Sequence, residues 1–149
     1  MEEQEIAVRI VSNWNTESVA ALYRAGGWWK EEWSHEELTD LMRSSYAFVI
    51  AYQIASGNAV GMGRAISDGV SDAYIQDLVV LPEWRGKGIG KRILSTLIKY
   101  CRSREVGWIG LIAEQGTKGF YASMGFSLLE GCVPMKYRGE ITHADTERL

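Results

Sequence analysis

The stretch that most narrows the choice of fold is Tyr74–Lys91, reading Tyr-Ile-Gln-Asp-Leu-Val-Val-Leu-Pro-Glu-Trp-Arg-Gly-Lys-Gly-Ile-Gly-Lys. Its opening, Tyr74–Leu81, is rich in β-branched and aliphatic side chains and reads as a strand, which Pro82 stops because it cannot donate to a ladder. Further on, Ile89, Ile93, Leu94, Leu97, Ile98 and Cys101 recur at helical spacing and mark an amphipathic helix to about Cys101. Between them lies Arg85-Gly86-Lys87-Gly88-Ile89-Gly90, a tight glycine-rich turn. A strand feeding so directly into an amphipathic helix requires a sheet for that helix to lie on.

The rest of the chain supplies the sheet. Ile6–Val11 alternates as a first strand; Asn15 caps a helix from Thr16 to about Ala25, ended by Gly26-Gly27. Ser34-His35-Glu36-Glu37 has capping-box spacing, and Leu38, Leu41 and Met42 give the next helix its apolar stripe, closed by Ser44-Ser45. Tyr46–Tyr52 and Ala59–Ile66 are strands separated by the Gly57-Asn58 turn, with a second turn at Asp68-Gly69. After the long helix, Trp108–Ala113 reads as a buried strand and Lys118–Met124 as a short helix ended by Gly125. Ser127–Leu129 and Pro134–Tyr137 complete the strand set, and the tail from Gly139 is polar. The order predicts an α+β fold of three layers, a mostly antiparallel central sheet flanked by helices, in one domain spanning 1–149.

Composition removes several classes of function. A net charge of −3 gives no global attraction to nucleic acid or an anionic membrane. No apolar run approaches the ~20 residues of a spanning helix. Glu2, Glu3 and Glu5 make the N-terminus acidic, unlike a secretory leader, and Cys101 and Cys132 have no paired spacing, so a reduced, cytoplasmic setting is expected. His35 and His143 are isolated, and no His/Cys/Asp cluster has metal-ligand spacing, so no metal is expected.

Local charge differs from the global balance: Arg85, Lys87, Lys91 and Arg92 crowd the glycine-rich turn. The first turn of a helix presents unpaired N–H groups and a partial positive charge, so this loop suits a pyrophosphate. Two familiar phosphate motifs fail. A Walker A loop requires Ser or Thr after Gly90-Lys91, where Arg92 stands, and glycine at Arg85. A dinucleotide fingerprint requires Gly-x-Gly-x-x-Gly and an acidic residue about 20 positions on, whereas this chain has Gly-x-Gly-x-Gly and then Val106-Gly107-Trp108-Ile109.

Arg85-x-x-Gly88-x-Gly90 after a strand ending in Val80-Leu81-Pro82 resembles instead the loop of the GCN5-related N-acetyltransferase (GNAT) superfamily. A second segment, Phe120-Tyr121-Ala122-Ser123-Met124-Gly125-Phe126, is similar to that superfamily's Phe-Tyr-x-x-x-Gly-Phe. The resemblance implies an acetyl-coenzyme A-dependent N-acetyltransferase. Arg85, Gly86, Lys87, Gly88, Ile89, Gly90 and Lys91 would hold the pyrophosphate, and Leu78, Val79 and Val80 the pantetheine arm, on a strand splayed from its neighbour. It also implies Tyr121 as the acid that protonates the departing thiolate, a role suited to an O–H donor beside developing negative charge. Many members carry Asn where this chain has Glu114, so the cofactor contact expected there changes character.

The base that frees the amine is left between Asp77, Glu114 and a water; in uninterrupted strand register Asp77 shares a face with Ile75 and Val79, and Gln76 with Leu78. Trp28, Trp29 and Tyr74 are the candidates for an acceptor wall, through stacking or cation–π contact. No nucleophile elbow is present, which favours direct transfer over a covalent acyl-enzyme. Residues from about 60 to 126 are also similar to plant-type arylalkylamine (serotonin) acetyltransferases, pointing to a small aryl or alkyl amine. Peptide acetylation and an inactive coenzyme A-binding sensor remain open alternatives. Members of the superfamily are often homodimers, a property no residue of this chain addresses.

Overall fold

The computed structural model describes residues 5–139. Its elements run β1 (Ile6–Val11), α1 (Thr16–Gly26), α2 (His35–Ser44), β2 (Ala47–Gln53), β3 (Ala59–Ser67), β4 (Asp72–Val80), a 3-10 turn (Pro82–Trp84), α3 (Ile89–Ser103), β5 (Trp108–Leu111) and α4 (Lys118–Ser123). The five strands form one sheet in chain order, antiparallel from β1 to β4 and parallel between β4 and β5. A parallel neighbour requires a crossover, and α3 supplies it.

The local signals act as expected. Asn15 accepts from the Ser18 amide at 3.0 Å to start α1, and Ser34 with Glu37 forms a complete capping box for α2. Both faces of β2 are buried. Ala47, Val49 and Ala51 pack toward Ile93, Leu94, Leu97 and Cys101 of α3, while Phe48 and Ile50 pack toward Val19, Leu22, Tyr23, Leu38 and Met42 of α1 and α2. Two cores separated by the sheet make the three layers, confirming the fold class read from the chain.

Three departures matter. Ser127–Leu129 and Pro134–Tyr137 form no strand; Leu128, Val133, Met135 and Tyr137 stand exposed, so apolar alternation there finds no ladder partner. The expected Trp108–Ala113 strand ends at Leu111, and Ile112 is exposed. The third departure is in β4. Arg64 pairs with Gln76 but Met62 pairs with Val79, so two residues, Asp77 and Leu78, oppose Gly63 alone. This β-bulge puts Asp77 at φ 57°, a left-handed conformation that Asp tolerates better than most residues. The extra residue reverses the alternation. Ile75 packs on the α3 side and Val79 on the α1–α2 side, so the expectation that Asp77, Ile75 and Val79 share a face is overturned.

Candidate active site

The bulge and the end of β5 together open the sheet. Pairing between β4 and β5 runs from Asp72–Trp108 to Ile75–Leu111 and stops, leaving that edge of β4 from Gln76 to Val80 without a strand neighbour among the described residues. The gap is a cleft of about 300 Å³, lined by Trp28, Tyr74, Gln76, Asp77, Leu78, Glu114, Thr117 and Tyr121 among others. A second cavity, beside Glu32, Trp33, Glu37, Leu38 and Leu41, shares no residue with it.

At one end of β4 lies the glycine-rich turn. Gly86 and Gly88 adopt φ 77° and 79°, and a Cβ at either would meet nothing within 4 Å, so the turn faces open space. Gly88 starts α3 without any side-chain cap. The amides from Gly86 to Lys91 donate to no protein acceptor among the described residues. An uncapped helix start behind a run of unpaired amides is a ready anion site. These residues fit a diphosphate, and the open β4 edge fits an extended amide-bearing arm.

The cationic side chains that crowd the turn in the sequence do not all converge on it. Arg85 donates from Nε to the Val80 carbonyl at 2.9 Å, pinning the turn to the strand end. The Lys87 ammonium lies 4.9 Å from the Trp84 ring centroid, and Arg92 reaches back to the Ile6 carbonyl at 2.9 Å. Ile89 is buried, so only its main chain faces the anion site. Lys91 is exposed on the first turn of α3. The groups this turn leaves without a protein partner are therefore, first of all, its main-chain amides.

Of the strand residues, Leu78 lines the cleft, Val79 is buried on the opposite face, and Val80 is half-buried against the α3 core. Asp77 lines the cleft too, but its Oδ2 accepts from Arg64 Nε at 2.7 Å and from the Tyr23 hydroxyl at 2.8 Å. Arg64 also reaches Gln76 Oε1 at 3.4 Å. Burial first, then the Asp77 charge and hydrogen bond, push the Tyr23 phenol well above its ordinary value. A carboxylate holding a guanidinium and a phenol on one oxygen is engaged as the anchor of the bulge.

Tyr121 comes from α4, braced edge-on by Phe120 and Phe126 at 5.1 and 5.9 Å. Its phenol is pushed up by burial and, next, by the negative charge of Glu114. Glu114 follows β5 and accepts from Trp28 Nε1 at 2.9 Å. Trp28 reaches it because Gly26 has no side chain: a Cβ there would lie 2.5 Å from the indole. Trp28 and Tyr74 both line the cleft, and Tyr74 leans on Trp108 at 5.4 Å. Trp29 does not. It packs edge-on against Trp33 at 5.8 Å beneath the Arg24 guanidinium, against the α1–α2 core and away from the residues that line the cleft.

The sequence did not single out Thr117, which lines the cleft, or Tyr23 and Arg64, which hold Asp77 there. Arg64 was reachable, since folding the hairpin about Asp68-Gly69 sets it opposite Gln76. Tyr23 and Thr117 carry no local signal. Among the described residues, no cysteine or serine lines the cleft and no group of three His, Cys, Asp or Glu side chains could hold a metal.

Comparison with known proteins agrees with this geometry. Residues 10–126 match the model of the Acetyltransferase (GNAT) family. An uncharacterized N-acetyltransferase, ycf52, of Porphyra purpurea is 30% identical over 126 residues, 85% of this chain and 72% of its own. Partial likeness runs to the chloroplastic serotonin N-acetyltransferase 2 of Oryza sativa, 36% identical over 50% of this chain and 37% of that protein. It runs also to the histone acetyltransferase TAP1 of Glycine max, 32% identical over 65% and 47%. The solved GNAT-family acetyltransferase of Streptococcus pneumoniae TIGR4 superposes with a TM-score of 0.71 at 31% identity, covering 92% of this chain and all of that one. A family match across most of the chain, a shared fold and a strand-splay cleft beside an uncapped glycine-rich helix start together place this chain in the acetyltransferase (GNAT) family.

Proposed function

We propose that this protein binds acetyl-coenzyme A and moves the acetyl group directly to a primary amine of a small molecule. One observation carries the reading: a single cleft runs from the open β4 edge to Tyr121, and the unpaired amides of Gly86–Lys91 lie where β4 ends. In this reading the Gly86–Lys91 amides hold the pyrophosphate, with Lys91 adding charge, and the main chain of Leu78–Val80 meets the pantetheine arm. The donor, when bound, supplies an acetyl group activated as a thioester. Tyr121 then holds its hydroxyl proton ready for the leaving sulfur, and its raised pKa keeps that proton in place until negative charge develops. The absence of a cysteine or serine from the cleft lining among the described residues favours direct transfer.

A small acceptor is favoured because Trp28, latched to Glu114, puts an indole in the wall of the cleft that Tyr121 also lines. The rice relative named for serotonin leans the same way, while the soybean relative named for histones keeps peptide amines as the alternative. A cytoplasmic site of action fits a coenzyme A-dependent reaction and remains part of the proposal. Thiol release from acetyl-coenzyme A, measured across a panel of arylalkylamines, polyamines, amino acids and N-terminal peptides, tests the reading. Turnover of peptides alone would overturn the small-molecule part, and binding of coenzyme A without turnover of any amine would leave a sensor.

A further inference from the structure

Four groups around the cleft carry titratable protons: Tyr74, Asp77, Glu114 and Tyr121. Two are phenols. Asp77 is already paired with Arg64 at 2.7 Å, so its charge is balanced. Glu114 forms no ion pair among the described residues, and its hydrogen bond from the neutral Trp28 indole uses Oε1, leaving Oε2 for a ligand. The cleft therefore holds one uncompensated negative charge, at the end of β5, close enough to Tyr121 to act on its phenol.

Resting on the transferase reading, we infer that Glu114 both captures the acceptor as a cationic amine and takes the proton that frees its lone pair, with Trp28 holding the carboxylate in place. Ammonium plus thioester gives amide plus thiol and one released proton. Glu114 accepts that proton and passes it to solvent. The nitrogen, now neutral, forms the N–C bond as the C–S bond breaks, the electron pair leaving on sulfur. Sulfur takes the Tyr121 proton, and the second nitrogen proton restores Tyr121. The same lone charge sets the substrate class. An amine with no carboxylate beside it is accepted, while an α-amino acid brings its own anion against Glu114 and is disfavoured.

Glu114→Gln is the discriminating variant, because the amide oxygen still accepts from Trp28 while the charge is gone. With a basic arylalkylamine near neutral pH, kcat/KM is expected to fall on the order of 10²-fold. The variant's rate should then follow the neutral fraction of the amine, rising about tenfold per pH unit below the amine's own pKa, while the wild type is flatter. An aniline, already neutral, should lose less than about threefold, and the wild type should prefer tryptamine over tryptophan by at least about tenfold where the variant does not. Calorimetric affinity for coenzyme A should stay within about threefold.

Unchanged rates and pH profile in Glu114→Gln overturn the inference. So does a loss of coenzyme A affinity that matches the loss of rate, which would make Glu114 a cofactor contact. A wild-type protein that binds no coenzyme A overturns the transferase reading itself, a different result from either.

Discussion

The Arg64 guanidinium donates from Nε to Asp77 Oδ2 at 2.7 Å across the point where β4 carries its extra residue. Both side chains are more than four-fifths covered, at 16% and 19% exposure, and Tyr23 completes the network. Removing one partner strands the other's charge. Asp77→Ala should destabilise the fold by about 2 kcal/mol, below the figure for fully buried pairs because some water reaches this one. That corresponds to a fall in Tm of roughly 4–8 °C. Asp77→Asn, which tolerates the left-handed backbone and keeps the Tyr23 bond, should cost about half as much. Equal melting of the two variants would contradict the ion pair's part.

Tyr23 adds a pH dependence. Its native pKa is raised, first by burial and then by Asp77, whereas in the unfolded chain a tyrosine titrates near ~10. Above that pH the unfolded state has lost a proton the native state keeps, so stability falls as pH rises. Tyr23→Phe should cost about 1 kcal/mol at neutral pH through the lost bond to Asp77. It should also melt with a shallower alkaline decline than the wild type. Part of the decline will persist, because burial also raises Tyr46 and Tyr121.

The phenol of Tyr121 is raised by burial first and by Glu114 second, so it remains a proton donor through neutral and mildly alkaline pH. Tyr121→Phe should lower kcat by about 10²-fold while coenzyme A affinity changes by less than about threefold. Glu114→Gln removes the second cause, so ultraviolet titration should show the Tyr121 phenol ionising at lower pH than in the wild type. A shift in the opposite direction would mean the two groups do not face each other.

Gly88 sits at φ 79° at the uncapped start of α3. Gly88→Glu adds backbone strain of about 1–2 kcal/mol and a negative charge among the free amides. Calorimetry should show no coenzyme A binding to a protein that still melts cooperatively. Retained affinity would remove the loop from the site.

Trp28 and Trp29 are adjacent in the chain and both pack against the α1–α2 core, but Trp28 alone also lines the cleft. Trp28→Phe loses the bond to Glu114 and should raise the acceptor KM several-fold with little change in Tm. Trp29→Phe should leave the acceptor KM alone and lower Tm by a few degrees, since its ring packs with Trp33 and Arg24 in the α1–α2 core. Exchange of those two outcomes would invert the wall assignment.

The chain alone was enough to specify most of its elements and the glycine-rich turn. Caps at Asn15 and Ser34, the stop at Pro82, the stripe of α3 and the glycines of Gly86–Gly90 are local signals, each acting within a few residues, so they survive in the one-dimensional text. The strands expected near residues 127 and 134 failed for the complementary reason. Alternation states what a strand would look like, but a ladder needs a neighbour, and the chain there has none among the described residues.

Only the folded molecule decided which way the side chains of the cleft point. One extra residue at Asp77 reverses every face that follows it, and nothing in Gln76-Asp77-Leu78 announces a bulge. Trp28 and Glu114 are 86 positions apart, and Tyr23 and Asp77 are 54 apart. Such bonds depend on how α1 and β5 are packed around β4, and packing sums the whole sheet. The glycine-rich turn could be read from its own residues because main-chain amides make it; the lining of the cleft could not, because distant side chains do.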